Sequence, residues 1–69
     1  MNIGLGIRKN ANETWLQAAL RNAAPYGWEI EVKEEYDHCI AQGFTEARAA
    51  LNACYEWDVA LLMDENEVA

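Results

Sequence analysis

Pro25, with Gly27 two positions on, and Gly43 cut this chain into stretches of helix length, and that punctuation restricts the fold more than any other feature. Proline disfavours helical geometry in the residue before it, so a helix arriving at Ala24 must stop and a turn must follow. Gly43 is suited to the left-handed residue that closes a helix. The stretches left between these breaks, 11–24, 28–42 and 45–56, hold at most about four helical turns each.

In the first stretch Trp15, Leu16, Ala19, Leu20 and Ala23 recur at helical spacing, while Glu13, Gln17 and Arg21 step along another face by fours. Asn10 followed three positions later by Glu13 reads as a capping box and predicts a helix beginning near Ala11. Residues 28–42 read two ways. Trp28, Ile30 and Val32 alternating with Glu29 and Glu31 is a strand pattern, whereas Trp28, Val32, Tyr36, Cys39 and Ile40 form a helical stripe. Opposite charges at Glu29–Lys33 and Lys33–Asp37 lie on its far side. The helix accounts for more residues and is preferred, with a strand at 28–32 as the alternative. Thr45 is placed to cap a third helix that buries Ala47, Ala50, Leu51, Cys54 and Tyr55. Asp58 is placed to cap a last short helix holding Val59, Leu61 and Leu62, although 59–63 also suits a strand. Residues 1–9, with Ile3, Leu5 and Ile7 between glycines, read as an edge strand or an apolar arm, and 64–69 as a frayed acidic tail. The expectation is a single domain over 1–69, a mainly α bundle of three or four short helices. The alternative is an α+β fold with strands near 3–8 and 28–32.

A chain of 69 residues supports one core. Domains of this size bury only roughly 60% of the surface their unfolded chains expose, so a partner chain is a common source of extra stability and a homodimer is expected. The net charge of −7 is unevenly placed. Residues 1–27 hold Arg8, Lys9 and Arg21 against Glu13. Residues 28–69 hold Lys33 and Arg48 against Glu29, Glu31, Glu34, Glu35, Asp37, Glu46, Glu56, Asp58, Asp64, Glu65 and Glu67. Such a surface repels phosphate backbones and anionic membranes and steers encounters with basic protein surfaces. No apolar run approaches the roughly 18 residues of a membrane span. Without a charged-then-apolar leader, Cys39 and Cys54 are expected as reduced thiols in the cytoplasm.

Asp37, His38 and Cys39 are consecutive, and on a helix consecutive side chains point about 100° apart, so they do not converge on a reaction centre. Two cysteines and one histidine without a C-x-x-C spacing do not make a structural zinc site, and no Gly-rich phosphate loop is present. No metal, cofactor or catalytic residue is expected. Both cysteines fall on apolar helix faces, where a thiol packs as a small hydrophobe. The partner surface is expected at Tyr55, Glu56, Trp57 and Asp58, with Glu34, Glu35 and Asp37 nearby. Tyr55 and Trp57, two positions apart, cannot both face the core of one helix, which leaves an aromatic anchor towards solvent.

Cys39–Asn52, with Gly43 between two short helices, has the outline of a DNA-binding helix-turn-helix, but its second helix offers only Arg48 as a base against Glu46. The run GFTEARAALNACYEWDVALL at 43–62 resembles the Gly-Phe turn and Ala-Leu helix of ubiquitin-associated domains. That resemblance implies a three-helix fold that binds ubiquitin through Gly43, Phe44, Leu61 and Leu62. The run AQGFTEARAALNACYEWDV at 41–59 resembles the C-terminal part of small bacteriophage and prophage proteins, in which an Ala-rich helix ends in Glu-Trp-Asp. It implies an accessory protein of a mobile element, a group that includes inhibitors of host defence and modulators of host regulators. Together these readings predict an acidic protein-binding module rather than an enzyme.

Overall fold

The computed structural model describes residues 7–68, which fold as a small bundle of short helices. Helix α1 spans Trp15–Ala23, and a 3-10 turn over Ala24–Tyr26 extends it. Helix α2 spans Glu29–Ala41, α3 spans Glu46–Glu56, and Glu65–Val68 form one last helical turn, α4. The strand considered at 28–32 does not form. Trp28 is the N-cap of α2, and Val32 lies fully buried one turn into it.

Helix α1 begins four residues later than expected. Asn10 and Glu13 do pair, the Asn10 N–H donating to Glu13 Oε1 at 2.9 Å and the Glu13 N–H to the Asn10 carbonyl at 3.1 Å, but they close a turn. The helix start is taken by Thr14 and Gln17. The Gln17 N–H donates to Thr14 Oγ1 at 3.1 Å, and the Thr14 N–H donates to Gln17 Oε1 at 2.8 Å. Both halves of a capping box are therefore present at Thr14, whereas Asn10 supplies only its backbone.

Three chain reversals share one hydrogen-bond pattern. After α2, the Phe44 N–H reaches the Cys39 carbonyl and the Gly43 N–H that of Ile40, with Gly43 at φ 97° as its position predicts. After the 3-10 turn, Gly27 at φ 76° plays the same part. After α3, Val59 donates to Cys54 and Asp58 to Tyr55, with Asp58 at φ 55° where the other two reversals use glycine. Thr45 caps α3 through the Arg48 N–H, as expected.

The core is built from small side chains. Ala18, Ala19 and Ala23 of α1 meet Val32, Tyr36 and Cys39 of α2 and Ala49, Ala50, Ala53 and Cys54 of α3, and the largest fully buried side chains are Val32, Cys39 and Cys54. Alanine contributes little volume, so the helices approach closely and the larger Trp15, Leu16, Leu20 and Met63 pack around the rim. The expected core face of α3 needs one correction. Ala47, Ala50 and Cys54 are buried and Leu51 partly so, but Tyr55 is 80% exposed, and Ala49 and Ala53 take the inner positions. Both α1 and α2 flank α3, so its buried arc centres on Ala50, away from Tyr55.

The segment 59–63 forms neither the short helix nor the strand weighed for it. It runs irregularly, burying Val59 and Leu61, and makes a single parallel bridge between Leu62 and Arg8. The strand or arm expected over 1–9 lies outside the described residues up to position 6. Its described end is held by α1: Asn22 Nδ2 donates to the Ile7 carbonyl at 3.1 Å and to that of Ala60 at 3.0 Å, and Arg21 Nη2 donates to the Arg8 carbonyl at 2.7 Å. Arg21 also grips Glu13, Nε to Oε2 at 2.8 Å. No helix among the described residues is long and apolar enough to cross a membrane.

Candidate functional site

Because α2 and α3 run antiparallel as a hairpin, the first residue of one lies beside the last of the other. Trp28 and Trp57, the caps at those two ends, meet with ring centroids 5.0 Å apart at 36° between planes. Each remains about one third exposed. A tilted aromatic pair at this separation contributes about 0.5–1.5 kcal/mol beyond the area it buries. The carboxylates of Glu29, Glu56 and Asp58 follow or precede the two rings directly in the chain and are exposed. Trp57 is thus both a covering residue and a surface one.

The structure separates the other residues expected at the partner surface. Tyr55 points away from the tryptophans and, with Phe44, Arg48, Leu51 and Asn52, lines an open groove of about 380 Å³. Glu34 and Asp37 lie along α2 on the side opposite Val32, roughly 9–14 Å of helix rise beyond Trp28. Asp37 is paired with Lys33 at 2.6 Å. Glu35 turns inward, its Oε2 accepting from Cys39 Sγ at 3.7 Å. Trp28 belongs with Trp57, which sequence reasoning missed. Its place in an apolar stripe was visible, but the pairing depends on how two helices align end to end.

Asp37, His38 and Cys39 diverge: Asp37 reaches Lys33, His38 is exposed, and the buried Cys39 thiol receives Asn52 Nδ2 at 3.2 Å. Cys54 is likewise buried and free, and burial pushes its thiol up to about 11. Burial, then the charges of Glu46 and Asp37, also raises Tyr36. Among the described residues no group of three or more His, Cys, Asp or Glu side chains is placed to hold a metal ion. No buried side-chain polar atom among them lacks a partner.

The geometry defines a small helical bundle carrying an exposed aromatic pair in an acidic surround. Comparison with known proteins gives no match to a family model, a curated protein or a solved structure.

Proposed function

We propose that the protein is an acidic protein-binding module that docks on a basic surface of another protein through Trp28, Trp57 and the carboxylates beside them. The observation that carries this reading is the partly exposed tryptophan pair itself. Two large rings held against each other at the surface are pre-ordered, so little rotamer entropy remains to be lost on binding. Aromatic anchors rimmed by polar groups dominate measured interface energies. The net charge of −7 supports a basic partner, including one whose surface ordinarily meets nucleic-acid phosphate. The likeness of residues 41–59 to prophage proteins supports an accessory role in which the bound protein is a host regulator or defence factor whose activity is modulated.

The test compares capture from host lysate by the wild-type chain and by Trp57→Ala, Trp28→Ala and the charge-neutral pair Glu29→Gln and Asp58→Asn. The expected outcome is one protein retained by the wild type, released by salt, and lost by at least tenfold in each variant while the melting temperature stays within a few degrees. Retention of that protein by Trp57→Ala, or a collapse of its melting transition, makes the pair a cover for the end of the hairpin and removes the proposal.

A second reading has one specific observation in its favour. Gly43 and Phe44, the turn resembling that of ubiquitin-associated domains, are exposed, and Leu62 is 38% exposed, although Leu61 is buried. Titration of the isotopically labelled chain with unlabelled ubiquitin distinguishes it, with shifts at Phe44 expected on this reading and none on the first.

A further inference from the structure

The outward face of α3 carries Arg48, Leu51, Asn52, Tyr55 and Glu56, a spacing of i, i+3, i+4, i+7 and i+8 that is the stripe of a helix packed on a second helix. Leu51 and Asn52 are partly buried, Asn52 reaching inward to Cys39, and Val68 approaches the Arg48 end, while Arg48, Tyr55 and Glu56 stay exposed. Tyr55, at 80%, is the most exposed of the large apolar side chains, and Phe44 extends the same surface at the start of the helix.

The charges on this stripe are out of place for an isolated helix. A helix favours anions at its N-terminal end and cations at its C-terminal end, yet Arg48 sits in the first turn of α3 and Glu56 is its last residue. Nor are they neutralised within the fold. Arg8 pairs with Asp64 and Arg21 with Glu13, but the Arg48 guanidinium has no carboxylate partner among the described residues, in a chain with twelve acidic side chains. A second helix laid antiparallel removes both faults, since its acidic C-terminal end then lies against Arg48 and its N-terminal end against Glu56. A parallel helix would set arginine beside arginine.

We propose that this face is a twofold interface with a second copy of the chain. The two α3 helices pack antiparallel about Asn52, and Arg48 of each reaches the partner subunit's Glu56 and Tyr55. Antiparallel pairing about residue 52 matches 48 with 56 on both sides, so one register satisfies both charges twice. The two ion pairs bracket about 12 Å of helix, with Leu51 and Tyr55 filling the seam between them. The interface shares Glu56 with the acidic surround of the tryptophan pair but includes neither ring, and it does not depend on the function proposed for them.

Charge exchange tests this directly. Arg48→Glu and Glu56→Arg each set like charges together in the homodimer, while a mixture of the two variants restores opposite charges at every contact. Sedimentation equilibrium of the full chain should show a dimer for the wild type. Each single variant should have its dimer Kd raised at least tenfold, and the equimolar mixture should re-form a dimer. Each variant alone replaces a charge that the helix dipole disfavours with one that it favours, so circular dichroism should show the monomeric fold retained or slightly stabilised. Tyr55→Ala, at a position too exposed to be needed for folding, should weaken the dimer in the same way. A wild type that stays monomeric up to millimolar concentration, single variants that dimerise as tightly as the wild type, or a mixture that fails to re-associate would each overturn the proposal.

Discussion

Glu13 accepts from the Arg21 guanidinium on one side and from the Asn10 N–H on the other, and these two contacts lower its carboxyl from 4.5 to about 2, the arginine contributing most. A carboxylate depressed in the folded state stabilises the fold above its unfolded value and loses that contribution as pH falls through the folded one. Stability should therefore drop between about pH 4.5 and 2 through this residue. Glu13→Gln should lower the melting temperature at neutral pH and flatten its dependence in that window. A variant whose acid profile overlays the wild type would show that Arg21 stabilises the arm through the Arg8 carbonyl alone. Cys54 lies at the other extreme: with its thiol pushed up to about 11 and its side chain 1% exposed, it has little thiolate at neutral pH with which to react.

The helix ends make a comparison within the molecule. The reversals at Gly27 and Gly43 use glycine for the left-handed residue, and nothing lies within 4 Å of where a Cβ would sit at either. Their conformation, not crowding, is the reason for glycine. At Asp58 the same conformation is adopted with a side chain, which costs an L-residue about 1–2 kcal/mol, somewhat less for Asp. Asp58→Gly removes that strain but adds about 0.5–1 kcal/mol of unfolded-chain entropy, so the net gain should be at most about 1 kcal/mol. The checking measurement is urea unfolding, where the midpoint should rise with the slope unchanged. A fall in the midpoint would mean that the Asp58 carboxylate makes a contribution to stability that outweighs the backbone strain.

Across the whole molecule the cations are largely spent internally. Arg8, Arg21 and Lys33 face Asp64, Glu13 and Asp37, and Lys9 lies 5.5 Å over the ring of Trp15. No basic stripe is left to displace counterions from a duplex, so gel shifts with duplex DNA should be blank even at low salt. A shifted band lost on raising the salt would contradict this and revive the helix-turn-helix outline of α2 and α3. The radius of gyration of 11.0 Å is that of a compact domain of this length, for which about 11 Å is typical. The alanine-built core nevertheless leaves most of the aromatic area at the rim, which is where both proposed interfaces lie.

The sequence by itself determined the local events, the stop at Pro25, the left-handed Gly43 and the Thr45 cap, and it favoured the helical over the extended state of 28–42 while leaving a strand at 28–32 open. Each depends on φ, on a missing N–H or on periodicity within a few residues, and those are properties of the chain segment alone. The one box read from the sequence, Asn10–Glu13, does not start α1: Arg21 holds Glu13 in a turn that stops short of the helix, and the Thr14–Gln17 box takes its place. Which of Tyr55 and Trp57 faces solvent, and that Trp57 meets Trp28, was decided by tertiary structure. Burial of an α3 residue depends on where α1 and α2 lie around that helix, and contact between residues 28 and 57 depends on how the ends of a hairpin align. Neither quantity is carried by the spacing of residues along one element.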